Sequence, residues 1–299
     1  MKEIYWHLPG FTYFFYLNQV IIRMMKDHPD YFREGYRIGS VYGTFPGAIW
    51  NGGRAVFGMT TKGDMEKIIS TYNRMGVPVR FTWTNYLIEE KHLTDTYCNL
   101  IMSIADNGMN QVLVSTDILE NYLREHYPRF KYLSSTTKRI TSLDALGEEL
   151  KRDYMLVVLD YDLNHDEEAL KALEPQADRI EILVDEICFP GCPRRKEHYR
   201  EESLRQITFD KGDPFPCPNR TTMPGFAECM KRPAFIAADE VQDYVSRGFT
   251  NFKLVGRGLP VGMVKDSYMY YLVRKEYQQK ARKLMDETLE KLSGAKKKG

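Results

Sequence analysis

Short apolar runs rich in β-branched residues recur along the chain, separated by stretches in which apolar residues return every three or four positions. The runs predict strands at 36–42 (YRIGSVY), 77–83 (VPVRFTW), 111–115 (QVLVS), 130–134 (FKYLS), 155–160 (MLVVLD), 179–184 (RIEILV), 234–237 (AFIA) and 252–256 (FKLVG). Most of the segments between them read as helices. Met65, Ile68, Ile69, Tyr72 and Met75 make one apolar stripe at helical spacing. Thr61 with Asp64, Thr141 with Asp144 and Asn164 with Glu167 each fit an N-cap followed three residues on by an acid. Gly76, Gly108 and Gly248 stand where a helix ends in a left-handed residue, each ahead of a predicted strand.

Strands alternating with helices argue for a parallel sheet, and eight such units argue for a closed (β/α)8 TIM-like barrel. A G-x-G-x-x-G turn after an early strand would favour the open dinucleotide-binding sheet, and the sequence has none. One more helix precedes the first predicted strand, over FTYFFYLNQVIIRMM (11–25). Asn18, Gln19 and Arg23 interrupt it well short of a bilayer span, and no basic leader or small-residue cleavage site accompanies it. It therefore reads as an amphipathic helix packed on the domain. The expected organisation is a single α/β barrel domain over 1–290 with an extra N-terminal helix. A long Cys-rich loop, 185–233, is inserted after strand six, and a disordered basic tail covers 291–299.

Composition changes this picture little. With 299 residues, 43% hydrophobic and 28% charged, the chain can bury a sizeable core. Its 42 Lys and Arg nearly cancel 41 Asp and Glu, so any basic site must be local. Without an export signal the expected location is cytoplasmic, where five cysteines do not build a disulfide framework.

In such a barrel, chemistry belongs on the loops after the strands. The polar residues there include Asn51, Arg54, Thr84, Asn85, Ser115, Ser135, Thr136, Asp160, Asp162, Asp185, Glu186 and Arg257. Asp160, Asp185 and Glu186 are the candidate acids or bases; Asn51, Arg54, Asn85, Ser135, Lys253 and Arg257 are candidates for holding substrate. Helix caps and turns also call for such residues. WNGGR (50–54) could wrap an anion in backbone N–H groups or simply be a tight loop. PRRKEHYR (193–200) could meet a carboxylate, a phosphate or an RNA backbone, though Glu197 inside it favours a solvated face.

Cys188, Cys192, Cys217 and Cys229 all fall in the long loop, spaced C-x3-C-x24-C-x11-C; Cys98 lies apart, on a helix face that reads as core. Four thiolates gathered at one point could hold an iron–sulfur cluster or a zinc ion, and either would order a loop so poor in periodic structure. The gaps match neither paired zinc knuckles nor the ferredoxin run, so spacing leaves both metals open, with iron–sulfur ahead.

Several segments together resemble the peptidase U32 family, the group that includes the UbiU/UbiV-type and tRNA-hydroxylating proteins. GFTNFKLVGR (248–257) is similar to the family's G-V-x-x-L-K-I-E-G-R, and YMYYLVRKEYQ (268–278) to the helix that follows it. EILVDEIC (181–188) occupies the place of E-x-F-V-H-G-x-x-C, and 106–137 repeats the family's order of glycine, strand, helix, proline and serine-ended strand. The resemblance implies a TIM-like barrel with a [4Fe-4S] cluster on Cys188, Cys192, Cys217 and Cys229. It also implies oxygen-independent hydroxylation of an aromatic, heterocyclic or RNA-borne substrate, with prephenate implicated as oxygen donor. The chain departs from the pattern at Asp185 and Glu186, which replace His-Gly, at Val255, which replaces an acid, and in its cysteine gaps. The expected function is thus an iron–sulfur hydroxylase or related atom-transfer enzyme on a small substrate with a carboxylate. The alternatives are a U32-type hydrolase and a non-catalytic barrel tied by a four-cysteine zinc site. The expected partner is the small-molecule substrate; RNA, resting on the basic run alone, and a second subunit are the further candidates, and no membrane is expected.

Overall fold

The computed structural model describes residues 2–217, 225–256 and 258–296. Eight strands, β1 (Ile4–Pro9), β2 (Tyr36–Gly43), β3 (Val79–Trp83), β4 (Gln111–Val114), β5 (Lys131–Ser134), β6 (Leu156–Val158), β7 (Ile180–Leu183) and β8 (Asn251–Lys253), form a closed barrel in chain order. Every neighbouring pair is parallel, and β1 pairs with both β2 and β8. The helices are α1 (Phe15–Asp27), α2 (Lys62–Arg74), α3 (Glu90–Leu93), α4 (Thr96–Ala105), α5 (Asp117–His126), α6 (Leu143–Lys151) and α7 (Glu167–Leu173). After β7 come α8 (Arg195–Thr208), α9 (Phe226–Cys229) and α10 (Val241–Ser246); α11 (Val261–Leu272) and α12 (Gln278–Lys296) follow β8.

Eight strands are present, but not the eight expected. Segment 234–237 is no strand: Ala234 and Ile236 are fully buried, and the Ile236 amide donates to the Val184 carbonyl without forming a ladder. Apolar content there reflects burial alone. The missing stave is β1 (IYWHLP), whose apolar run is broken by His7 and ended by Pro9. The N-terminal helix is accordingly not extra; α1 is the crossover from β1 to β2. The Cys-rich loop follows the seventh strand of the barrel and leads to the eighth.

Local signals hold where they rest on stereochemistry. Thr61 caps α2 by accepting from the Asp64 amide, and Gly76, Gly108 and Gly248 have φ of +76°, +81° and +108°. The caps of α6 and α7 fall one and two residues later than expected, on Ser142 and Asp166. The tail is helical through Lys296, because Ala281 and Met285 of α12 are fully buried and the helix packs on α1. Residues 297–299 lie outside the described residues.

The barrel interior is divided. On one side Leu113, Leu133, Leu156, Val158 and Leu183 form a separate apolar cluster. On the other, Glu181 is fully buried and receives the Arg80 guanidinium, with His7 Nε2 and Lys253 Nζ each 3.3 Å away. Arg80 also donates to Gln111 Oε1 at 2.8 Å and lies 3.1 Å from His7 Nδ1. Since Arg80 can only donate, His7 accepts at Nδ1 and carries its proton on Nε2, facing Asn251 Oδ1 at 3.2 Å. Burial, then the Arg80 charge, hold the His7 imidazole neutral, with its pKa down to about 3. Burial alone would raise the Glu181 carboxyl, but Arg80, His7 and Lys253 together outweigh it and keep it well below the carboxylate range.

Arg80→Met leaves this carboxylate short of its principal partner and is expected to cost about 3–5 kcal/mol in denaturant unfolding. Adding Glu181→Leu should recover much of that loss; a double variant no more stable than the single one would show that the pair is not the source of the cost.

Candidate active site

At the C-terminal ends of the strands lies a cavity of about 100 Å³ whose lining comes from nearly every side of the barrel. Arg54 and Gly53 come from the loop after β2, Thr84 from the end of β3, and Ser135 and Thr136 from the end of β5. Tyr161 follows β6 and Glu186 and Cys188 follow β7, while His198 and Tyr199 descend from α8 and Lys253 rises from β8. The loops are placed by side chains that are themselves fully engaged.

Asn51 and Asn85 belong to that scaffolding. Asn51 accepts from Thr82 Oγ1 at 2.8 Å and donates to the Arg54 carbonyl at 2.7 Å. Asn85 donates to the carbonyls of Ile49 and Ser203, at 2.9 and 3.0 Å, which ties α8 across the mouth. Gly52 resolves the WNGGR question: a Cβ there would sit 2.1 Å from the Thr84 carbonyl oxygen, and its own amide donates to the Thr82 carbonyl. The glycine is needed for close approach of two loops, and its N–H is not offered to an anion.

The carboxylates divide in the same way. Asp160 accepts from Arg195 at 2.7 Å and from the Asp162 amide at 3.0 Å; Asp162 shares the same guanidinium, which lies 4.4 Å over the Tyr161 ring. Arg195 is thus buried and paired, and Arg194 is tied to Glu197 and the Pro216 carbonyl, which leaves Lys196 and Arg200 as the exposed cations of PRRKEHYR. Asp185 is also buried. It accepts from the Val255 amide and from Ser267 Oγ, both at 2.7 Å, joining the ends of β7 and β8 to α11. Burial raises its carboxyl to about 7, against the pull of those two hydrogen bonds. Glu186 is the carboxylate that lines the cavity, with Oε1 accepting from the amides of Ile187 and Cys188 at 2.9 and 3.0 Å.

Lys253 lies on the cavity floor, 3.3 Å from Glu181 and 4.3 Å over the Tyr42 ring. Ser135 accepts from the Thr137 amide and also faces the cavity. Arg257 lies outside the described residues. Two threonines of the lining have no such engagement: the Oγ1 atoms of Thr84 and Thr136 are buried and make no hydrogen bond. The Tyr161 hydroxyl is also buried without a hydrogen bond of regular geometry, beside the Cys188 thiol and Tyr199.

Among the described residues, no three His, Cys, Asp or Glu side chains are grouped to hold a metal ion. Cys188 and Cys192 are near neighbours, and Cys192 and Cys217 both lie close to Arg194. Cys229 is buried on α9 and donates its thiol to the Asp185 carbonyl at 2.9 Å. Burial, with Asp185 and Glu186 close by, raises the Cys229 thiol far above its ordinary value, and burial raises Cys188 as well. As they stand, these four thiols do not fit one tetrahedral ligand set. Cys98 is fully buried in the core, as its helix face implies.

The motifs carry no sign of Tyr42, Tyr161 or Tyr199, and of the ion cluster beneath them they offer only Lys253, which the sequence allows equally as a barrel-interior residue paired with an acid. The cluster did leave a trace: Arg80 and Glu181 interrupt runs that are otherwise apolar, VPVRFTW and RIEILV. A charge inside a strand that is buried on both faces needs a partner inside the barrel.

The geometry defines an α/β barrel with a polar, cation-lined cavity at the end where barrel enzymes carry their chemistry. The chain is similar to a solved structure described as that of the U32 peptidase Mk0906, at 16% identity and a TM-score of 0.56. The match covers 87% of this chain and 95% of that one. It is the family that the sequence motifs resemble, and at this identity the match establishes a common fold. A scan against protein-family models gives no match, and neither does a search of curated proteins. No helix among the described residues is long and apolar enough to cross a membrane.

The Asp185 carboxyl gives a signed pH dependence. Its folded pKa, about 7, exceeds the ordinary 3.8, so the fold favours the protonated form. The stability it contributes is whole below pH 3.8 and is lost as pH rises toward 7. Asp185→Asn should therefore flatten the part of the Tm decline between about pH 4 and 7 that a Glu186→Gln control retains.

Proposed function

We propose that this chain is an enzyme that binds a small carboxylate-bearing substrate at the barrel mouth and works on it by acid–base chemistry, with Glu186 as the base. The observation that carries the reading is the pair of buried, unbonded hydroxyls on Thr84 and Thr136, which line the same cavity as Arg54 and Lys253. Burying a hydroxyl without a partner costs about 1–3 kcal/mol, and a substrate oxygen would remove that cost. Arg54 and Lys253 supply the charge that a carboxylate requires, and Glu186 has one oxygen fixed by two amides. A hydrolytic form of this chemistry, in which Glu186 activates a water, agrees with the word peptidase in the description of the structure that shares the fold.

A second reading has one observation in its favour: Cys188, which lines the cavity, is a near neighbour of Cys192, and Cys192 and Cys217 both lie close to Arg194. An iron–sulfur enzyme of the hydroxylating type, or a structural zinc site, would need Cys229 to leave the Asp185 carbonyl and join them. That rearrangement is the cost of this reading, and no step of the first depends on it.

Two measurements separate the readings. Thermal-shift titrations with succinate, citrate and prephenate should stabilise the wild type, with the effect weakened about tenfold in Arg54→Ala. Thr84→Val should raise stability in the absence of ligand by about 1 kcal/mol while weakening the same response. A loss of stability in Thr84→Val, or a ligand response unchanged in both variants, sinks the acid–base proposal.

Protein prepared without oxygen is expected to carry iron, sulfide and zinc well below one equivalent per chain. About four irons and four sulfides would replace the acid–base reading by the iron–sulfur one, and one zinc without sulfide by the structural one.

A further inference from the structure

A cleft of about 780 Å³ lies at the opposite end of the barrel from the mouth. It lies between the C-terminal half of α1, the segment leading into β2, the turn between α2 and β3, and the residue that follows α11 and Val273. All of these are at the N-terminal ends of the strands. In barrels of this kind that face ordinarily carries stability rather than chemistry, so an ornate cleft there calls for its own account.

Its charge is unlike that of the chain as a whole. Arg23, Lys26, Arg33, Arg37, Arg74 and Arg274 line it against one carboxylate, Glu34, in a chain whose formal net charge is +1. Arg23, Lys26 and Arg74 make no ion pair among the described residues. Arg33 reaches a carboxylate only at 3.8 Å, on the almost fully exposed Asp239, and its Nε is buried without a hydrogen bond. Arg274 spends its Nε on the Phe32 carbonyl at 2.9 Å, and Arg37 pairs with the half-exposed Glu3 at 3.2 Å. Gathering this many like charges around one cleft costs free energy unless an anion answers them.

The rest of the lining is apolar, with Ile22, Met25, Ile38 and Met75 between the cations. A simple inorganic anion would leave that surface unused. The volume falls within the range of small-molecule pockets, and the combination suits a flat or apolar body carrying phosphate groups. Arginine matches phosphate with paired donors, and five of the six cations are arginines.

We propose that this cleft is a second binding site, for a phosphate ester of nucleotide size, remote from the cavity at the mouth and independent of the reaction carried out there. The phosphates sit among Arg23, Arg33 and Arg74, and the apolar part lies along Ile22 and Met75.

The test is calorimetric titration of the full chain with ADP, with pyrophosphate and with a short single-stranded RNA, at low and at moderate salt. ADP is expected to bind, more tightly than pyrophosphate, and to weaken as salt rises. Arg23→Glu with Arg74→Glu, both at exposed positions on helices, should weaken ADP at least about tenfold without lowering Tm. Arg54→Ala, at the other end of the barrel, should leave ADP binding unchanged. Several outcomes overturn the assignment. ADP that fails to bind, or binds equally well to the double variant, removes the site. Loss of ADP binding in Arg54→Ala moves it to the mouth. Pyrophosphate as tight as ADP removes the apolar contact, and RNA binding without ADP binding replaces a small ligand by a polymer.

Discussion

One fully buried carboxylate organises the interior of this barrel. Glu181 stands on a strand whose other inward residues are apolar, and desolvating it is tolerable only because Arg80, His7 and Lys253 converge on it. The four come from β7, β8, β1 and β3; the first three are successive neighbours in the sheet, so it is Arg80 that carries the cluster across the barrel to a strand none of them pairs with. It also fixes the polarity of the space above. Lys253 is at once a partner of Glu181 and part of the cavity floor, so the cationic character of the mouth is anchored in the core.

That arrangement separates two kinds of polar residue which look alike in a sequence. Asn51, Asn85, Asp160 and Asp185 are engaged by well-placed partners and hold loops in position. Thr84, Thr136, Arg54 and Glu186 face the space those loops enclose. Polarity and position after a strand do not distinguish the groups, because turns, caps and substrate sites all call for such residues. Only the accounting of hydrogen bonds does, and it needs coordinates.

The architecture was more legible than the site. Alternation of strand-like and helical periods, glycine C-caps and the capping threonine at 61 reflect local stereochemistry, and they survive in the structure. The two errors about strands came from judging by apolar content: Ala234–Ile236 is buried without pairing, while β1 is a true stave with His7 and a terminal Pro9 in it. The cysteines show the limit most plainly. Their shared loop suggests a shared centre, and nothing in the sequence signals that Cys229 is on a short helix with its thiol turned to the Asp185 carbonyl. Nearness along a chain says little about direction of approach. The cleft at the far end of the barrel was invisible for the converse reason, since its cations are scattered from Arg23 to Arg274 and only folding collects them.

The pairing of β1 with both β2 and β8 has a bearing on how the molecule is made. One edge of the first strand finds its neighbour within some forty residues, while its other edge faces Asn251–Lys253. A chain emerging from the ribosome therefore carries an open sheet edge for most of its synthesis, and the ring seals only when the last stave arrives. The seam brings His7 beside Lys253, so the ion cluster is completed by the same event that closes the barrel. Until then Glu181 lacks part of its complement, and the nascent sheet has reason to stay hydrated on that side.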